Sequence, residues 1–86
     1  MDRTEKTSIK EIPISAAIMT ILGQTPTVKL TYGSNLAEFV FDHDDRIPRI
    51  VMEFASGELM INAADYEKAL SFLYRKAGLM KGGRGL

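Results

Sequence analysis

One histidine stands in this chain, and it stands among acids: Asp42, His43, Asp44 and Asp45. An imidazole with three carboxylates has the donor set of a divalent-cation site, and carboxylate-rich sites suit magnesium or calcium. Their spacing argues otherwise. Neighbouring residues at the end of a strand point to opposite faces and cannot all converge on one ion. The run also lacks the Asp-x-Asp-x-Asp-Gly order of a calcium-binding loop. Acids at a strand-to-helix junction are already explained by helix capping and the helix dipole, so no metal and no cofactor is expected.

Nucleophilic chemistry finds less support. Serines occur at positions 8, 15, 34, 56 and 71, but none sits in a Gly-x-Ser-x-Gly elbow, and one histidine is the sole candidate base. Lys81-Gly82-Gly83-Arg84-Gly85 is glycine-rich, yet it follows the last expected helix instead of joining a strand to one. It therefore lacks the geometry by which a phosphate loop works. With no convergent site, neither catalysis nor a small-molecule substrate is expected.

The elements that would hold any site follow from periodicity. The chain has 86 residues, 45% hydrophobic and 26% charged, with no cysteine. Its length suits one core, and the missing cysteines exclude a disulfide scaffold or a thiolate metal site. Eleven Lys and Arg balance eleven Asp and Glu, unlike a protein that binds polyanions through bulk charge. No stretch reaches the roughly 20 apolar residues that cross a bilayer. The polar opening, Met1 to Lys6, lacks the apolar stretch of a secretory signal, so a cytoplasmic protein is expected.

Residues 1–11 carry balanced charge and one isolated apolar residue, Ile9, and read as a flexible leader. Ile14, Ala17, Ile18, Ile21 and Leu22 then recur at helical spacing, with Pro13 at the start and Gly23 at the end. The period next switches to two. Val28, Leu30 and Tyr32 alternate with polar residues, Gly33-Ser34-Asn35 supplies a turn, and Leu36 to Phe41 forms a return strand with Ala37, Phe39 and Phe41 on one face. A second helix uses Ile47, Ile50, Val51, Phe54 and Ala55, opened by Asp44 or Asp45 with Pro48 in its first turn, and closed by Ser56-Gly57. A third, capped by Asn62 with Asp65 three residues on, uses Tyr66, Ala69, Leu70, Leu73, Tyr74 and Ala77 and should stop at Gly78.

The expected fold is therefore α+β, in the order α-β-β-α-(β)-α, with an antiparallel hairpin packed against three short helices. One domain would span 12–79, followed by a flexible Gly/Arg tail over 80–86. Because two strands alone are marginal, either Glu58 to Ile61 adds a third or the hairpin edge pairs with a second copy.

Several of these marks occur together in a known family. Ala16-Ala17 with Gly23, Phe39-Val40-Phe41, Gly57-Glu58-Leu59, and Asn62 with Tyr66, Leu70 and Leu73 form one series. On these residues, over about residues 12–78, the chain resembles a family of short bacterial and phage proteins known as a domain of unknown function. The resemblance implies an α+β architecture and a phage or mobile-element setting. It brings no catalytic or ligand residues. Ser15, Thr20 and the Gly-Arg-Gly tail depart from its pattern.

Two surfaces remain as candidates. Met52, Met60, Phe72, Leu79 and Met80 fall off the apolar stripes, and methionine is frequent on adaptable binding surfaces. Charge is also uneven: residues 35–62 carry a net −4 and residues 63–86 a net +3. The expected function is a non-catalytic protein-binding or self-associating module, its partner another protein or a second copy in a homodimer. Its surface would combine Met52, Met60, Phe72, Arg75 and Lys76. The alternative is nucleic-acid binding through Lys68, Arg75, Lys76, Lys81 and Arg84.

Overall fold

The structure, a computed structural model, describes residues 5–30 and 36–82, with side chains as far as Leu79. In chain order the elements are β1 (Lys6–Ile9), α1 (Ile12–Leu22), β2 (Thr27–Leu30), β3 (Ala37–Asp42), α2 (Ile47–Ser56) and α3 (Ala63–Gly82). The α+β architecture expected from the sequence is present: α1 and α3 pack on an antiparallel three-stranded sheet of order β1-β3-β2, and α2 packs on α1. The expected hairpin turn at Gly33-Ser34-Asn35 lies outside the described residues.

The third strand comes from the segment expected to be an unpacked leader, not from Glu58 to Ile61. In β1, Thr7 lies opposite Phe41 and Ile9 opposite Phe39. A strand needs little apolar content when its backbone pairs with a central neighbour, and Ile9 reaches the core with one side chain. Residues 58–61 form no strand; Leu59 and Ile61 instead turn into the partly buried margin of the core.

β3 is the centre of the sheet. Its Ala37, Phe39 and Phe41 are buried, and β2 places Val28 opposite Phe39 and Leu30 opposite Ala37 on that same face. The other face is wetter, with Lys6, Ser8, Thr27, Lys29 and Asp42 exposed. Period-two patterning thus decides which side receives the helices. The molecule measures 40 × 38 × 20 Å, and its thickness fits a sheet under one main layer of helices.

Helix α1 lies deepest. Ser15, Ala16, Ala17 and Ile18 are all buried, a run of four where the sequence predicts one narrow stripe, because α3, α2 and β1 each pack against this helix. Ser15 is tolerated there because its hydroxyl donates to the Glu11 carbonyl at 2.9 Å, and Thr20 donates to Ala16 in the same way at 2.8 Å. Ile21, assigned to the stripe, is 37% exposed. Gly23 (φ 69°) ends α1 and Gly57 (φ 80°) ends α2, both left-handed as expected.

The Asn62 side chain caps α3 by accepting the Asp65 amide at 3.0 Å. The helix does not stop at Gly78 but runs to Gly82, about 30 Å in all. It takes in residues 80–82 of the expected tail, whose remainder lies outside the described residues. No helix among the described residues is long and apolar enough to cross a membrane.

Candidate docking groove

The acidic junction pairs its charges locally. Lys6 Nζ meets Asp42 Oδ1 at 2.6 Å, and His43 Nε2 lies 3.4 Å from Asp45 Oδ1. Arg46 grips Asp44 with two guanidinium bonds of 3.0 Å, while its amide donates to the same carboxylate at 2.9 Å. Arg46 therefore holds the Asp44 carboxyl down at about 2, from an ordinary 3.8. The N-cap of α2 is Arg46, with no side-chain capping bond, so Asp44 does not cap the helix as expected but holds the turn before it. Among the described residues, no group of three or more His, Cys, Asp or Glu side chains is arranged to hold a metal.

Two partly apolar concavities lie elsewhere, along one flank of α3. Residues at i, i+3, i+4 and i+7 share a helix face. Around Phe72 that face holds Lys68, Lys76, Leu79 and, toward the helix start, Asp65. α3 also packs on β2 and on α1, so this flank overlooks the segment joining them. A groove of about 470 Å³ there is lined by Met19, Thr20, Thr25, Asp65, Lys68, Ala69 and Phe72. A second, of about 370 Å³, is lined by Thr25, Pro26, Val28, Phe72, Lys76 and Leu79, with Thr27 at its margin. Thr25 and Phe72 belong to both, so the two form one trough with the Phe72 ring as a shared wall.

Lysines border this trough on both sides of Phe72. The ion pairs between described residues are Lys6–Asp42, Arg46–Asp44 and Arg49–Glu53, and the His43 ring faces Asp45; none of these lies on α3. Lys68, Arg75 and Lys76 are exposed and have no acidic partner among the described residues. Lys76 Nζ instead lies 5.7 Å from the centroid of the Phe72 ring, within cation–π range. The trough thus joins an apolar wall to a rim that carries Lys68 and Lys76 and, toward the start of α3, Asp65.

The residues singled out from the sequence separate into different places. Phe72 and Lys76 line the trough, whereas Arg75 lies beside Lys68 in a separate depression of about 490 Å³ with Ala64, Glu67 and Ser71. Phe72 is half-buried against the core, not fully exposed. Met60, 88% exposed, belongs to another groove with Ile21, Arg49, Glu53 and Glu58, where Arg49 and Glu53 neutralise each other. Met52 is 67% exposed on α2 and lines neither groove. The single surface expected to combine Phe72 with both methionines is therefore divided. The side chains of Met80, Lys81 and Arg84 lie outside the described residues.

Sequence reasoning missed the trough's opposite wall, Met19, Thr25, Pro26 and Val28. Thr25-Pro26 reads as a helix stop, and only its buried proline in the folded chain shows that it also packs. No family model, no curated protein and no solved structure matches this chain, so the site's reading rests on its own geometry.

Proposed function

We propose that the protein is a non-catalytic binding module that docks an acidic, partly apolar segment of another protein in the trough between α1, β2 and α3. Phe72 and Leu79 offer apolar contact, and Lys68 and Lys76 attract carboxylates at the rim. The observation that carries this reading is the placing of Lys68 and Lys76, which meet no acid among the described residues, on either side of the half-buried Phe72 in one trough. Desolvated apolar anchors ringed by complementary charge are the usual source of affinity and orientation at protein interfaces.

A second copy fits the trough less well. A two-fold dimer through this face would set Lys68, Arg75 and Lys76 near the same residues of its partner, and like charges oppose such contacts. The phage or mobile-element and cytoplasmic setting expected from the sequence belongs to this proposal. Nucleic acid is the second reading, favoured by the exposure of Lys68, Arg75 and Lys76 on one helix.

Selection from a displayed library of twelve-residue peptides, with a single-stranded oligonucleotide as competitor, tests the reading. Enriched peptides should be acidic and should lose binding to the Phe72→Ala protein. Failure to enrich, or binding of the oligonucleotide in preference to every peptide, would overturn it.

A further inference from the structure

Resting on the docking reading above, the backbone beside the trough says how a partner segment would lie in it. β2 is the last strand of the sheet, so one side of Thr27–Leu30 has no strand beside it among the described residues. In an antiparallel ladder every second residue turns its N–H and C=O away from its neighbour. Half of the backbone groups of β2 therefore point outward, and Thr27 and Val28 lie on the wall of the trough itself. The opposite edge, β1, borders none of the grooves described here.

We infer that the partner segment joins the sheet as a fourth strand on the outer edge of β2, and that its side chains alternate between apolar and acidic. The alternation follows from the two faces of β2. Val28 and Leu30 point to the helix side with Phe39 and Ala37, so an added strand would turn every second residue toward Val28, Phe72 and Leu79. The residues between would point to the wetter face, where the exposed Lys29 lies opposite Glu38 of β3, and a carboxylate on the outer side of Lys29 makes a second favourable cross-strand neighbour. Lys76 supplies a second positive charge at the rim, over the Phe72 ring. Strand addition draws affinity from main-chain hydrogen bonds and specificity from the alternate side chains.

The probe is a nine-residue acetylated peptide of alternating Glu and Val, titrated into the full chain by fluorescence anisotropy. Two isomers carry N-methyl groups on alternate amides, one set at odd and one at even positions. A strand turns only one set toward β2. One isomer should lose about tenfold or more in affinity, the equivalent of one or two hydrogen bonds, while the other binds nearly as well as the parent. Amides of Thr27–Leu30 should gain protection from hydrogen exchange on binding. Equal behaviour of the two isomers, or no protection in β2, would overturn strand addition. If the alternating peptide fails while library peptides still bind in a Phe72-dependent way, strand addition falls and the docking reading stands. If no peptide of either kind binds, both fall.

Discussion

The Lys76 ammonium stands 5.7 Å from the centre of the Phe72 ring, one helical turn along α3. The two residues join the features on which the proposed function rests, an apolar wall and a positive charge without an acidic partner among the described residues. Their contributions respond differently to salt. Lys76→Glu should weaken an acidic peptide by about tenfold at low salt. Most of that difference should vanish at 1 M salt, where the screening length is about 3 Å. Phe72→Ala should weaken binding at every salt concentration, and a thermal melt of that variant checks that the half-buried site still folds.

Gly57 and Gly78 should respond to alanine with opposite signs. Neither has an atom within 4 Å of where a Cβ would stand, so space does not distinguish them. Conformation does. Gly57 is left-handed at φ 80°, where an L side chain costs about 1–2 kcal/mol. Gly78 lies inside α3, where alanine gains up to about 1 kcal/mol over glycine. Urea denaturation of Gly57→Ala and Gly78→Ala should move the midpoint down and up respectively. A fall for Gly78→Ala would mean that α3 ends there.

Asp44 should titrate far below an ordinary carboxylate. Its folded value of about 2 lies under the ordinary 3.8, so the unfolded chain takes up protons first as pH falls. The Asp44–Arg46 pair therefore supports folding fully above about pH 4, and that support is lost as pH drops through about 2. In Arg46→Ala, the carboxyl should titrate closer to 3.8 but stay somewhat below it, because the amide of residue 46 still donates. Side-chain carboxyl shifts in a nuclear magnetic resonance titration measure both values.

Ile9→Asp tests whether residues 6–9 are part of the fold. Ile9 lies opposite Phe39 and packs against the core, so a carboxylate there should cost about 2 kcal/mol. A substitution in an unpacked leader would leave the denaturation midpoint unchanged.

The sequence made some of these elements legible and hid others for physical reasons. Phe39 and Phe41 alternate with Glu38 and Val40, so the buried face of β3 could be read directly. β1 could not, since its one apolar contribution, Ile9, sits among charges and its pairing is made by backbone atoms that every residue carries. The burial of Ser15 is hidden by its polar type, because its bond to the Glu11 carbonyl exists only once the helix forms. Gly78 looked like a stop because glycine favours helix ends, yet its modest cost inside a helix did not halt α3. At the site, Phe72 and Lys76 were legible as members of one surface, and Lys68 only as a base for nucleic acid. Met19, Pro26 and Val28 were not, because only packing of α1 and β2 against α3 brings them to the same trough.

The most direct test of the docking trough is an amide chemical-shift map of the ¹⁵N-labelled protein titrated with a library-selected peptide. The expected shifts cluster at Met19, Thr25, Val28, Phe72, Lys76 and Leu79 and leave Ile21, Arg49 and Glu58 unmoved. Shifts centred on Ile21, Arg49, Glu58 and Met60 would place the docking surface in the other groove and contradict the account.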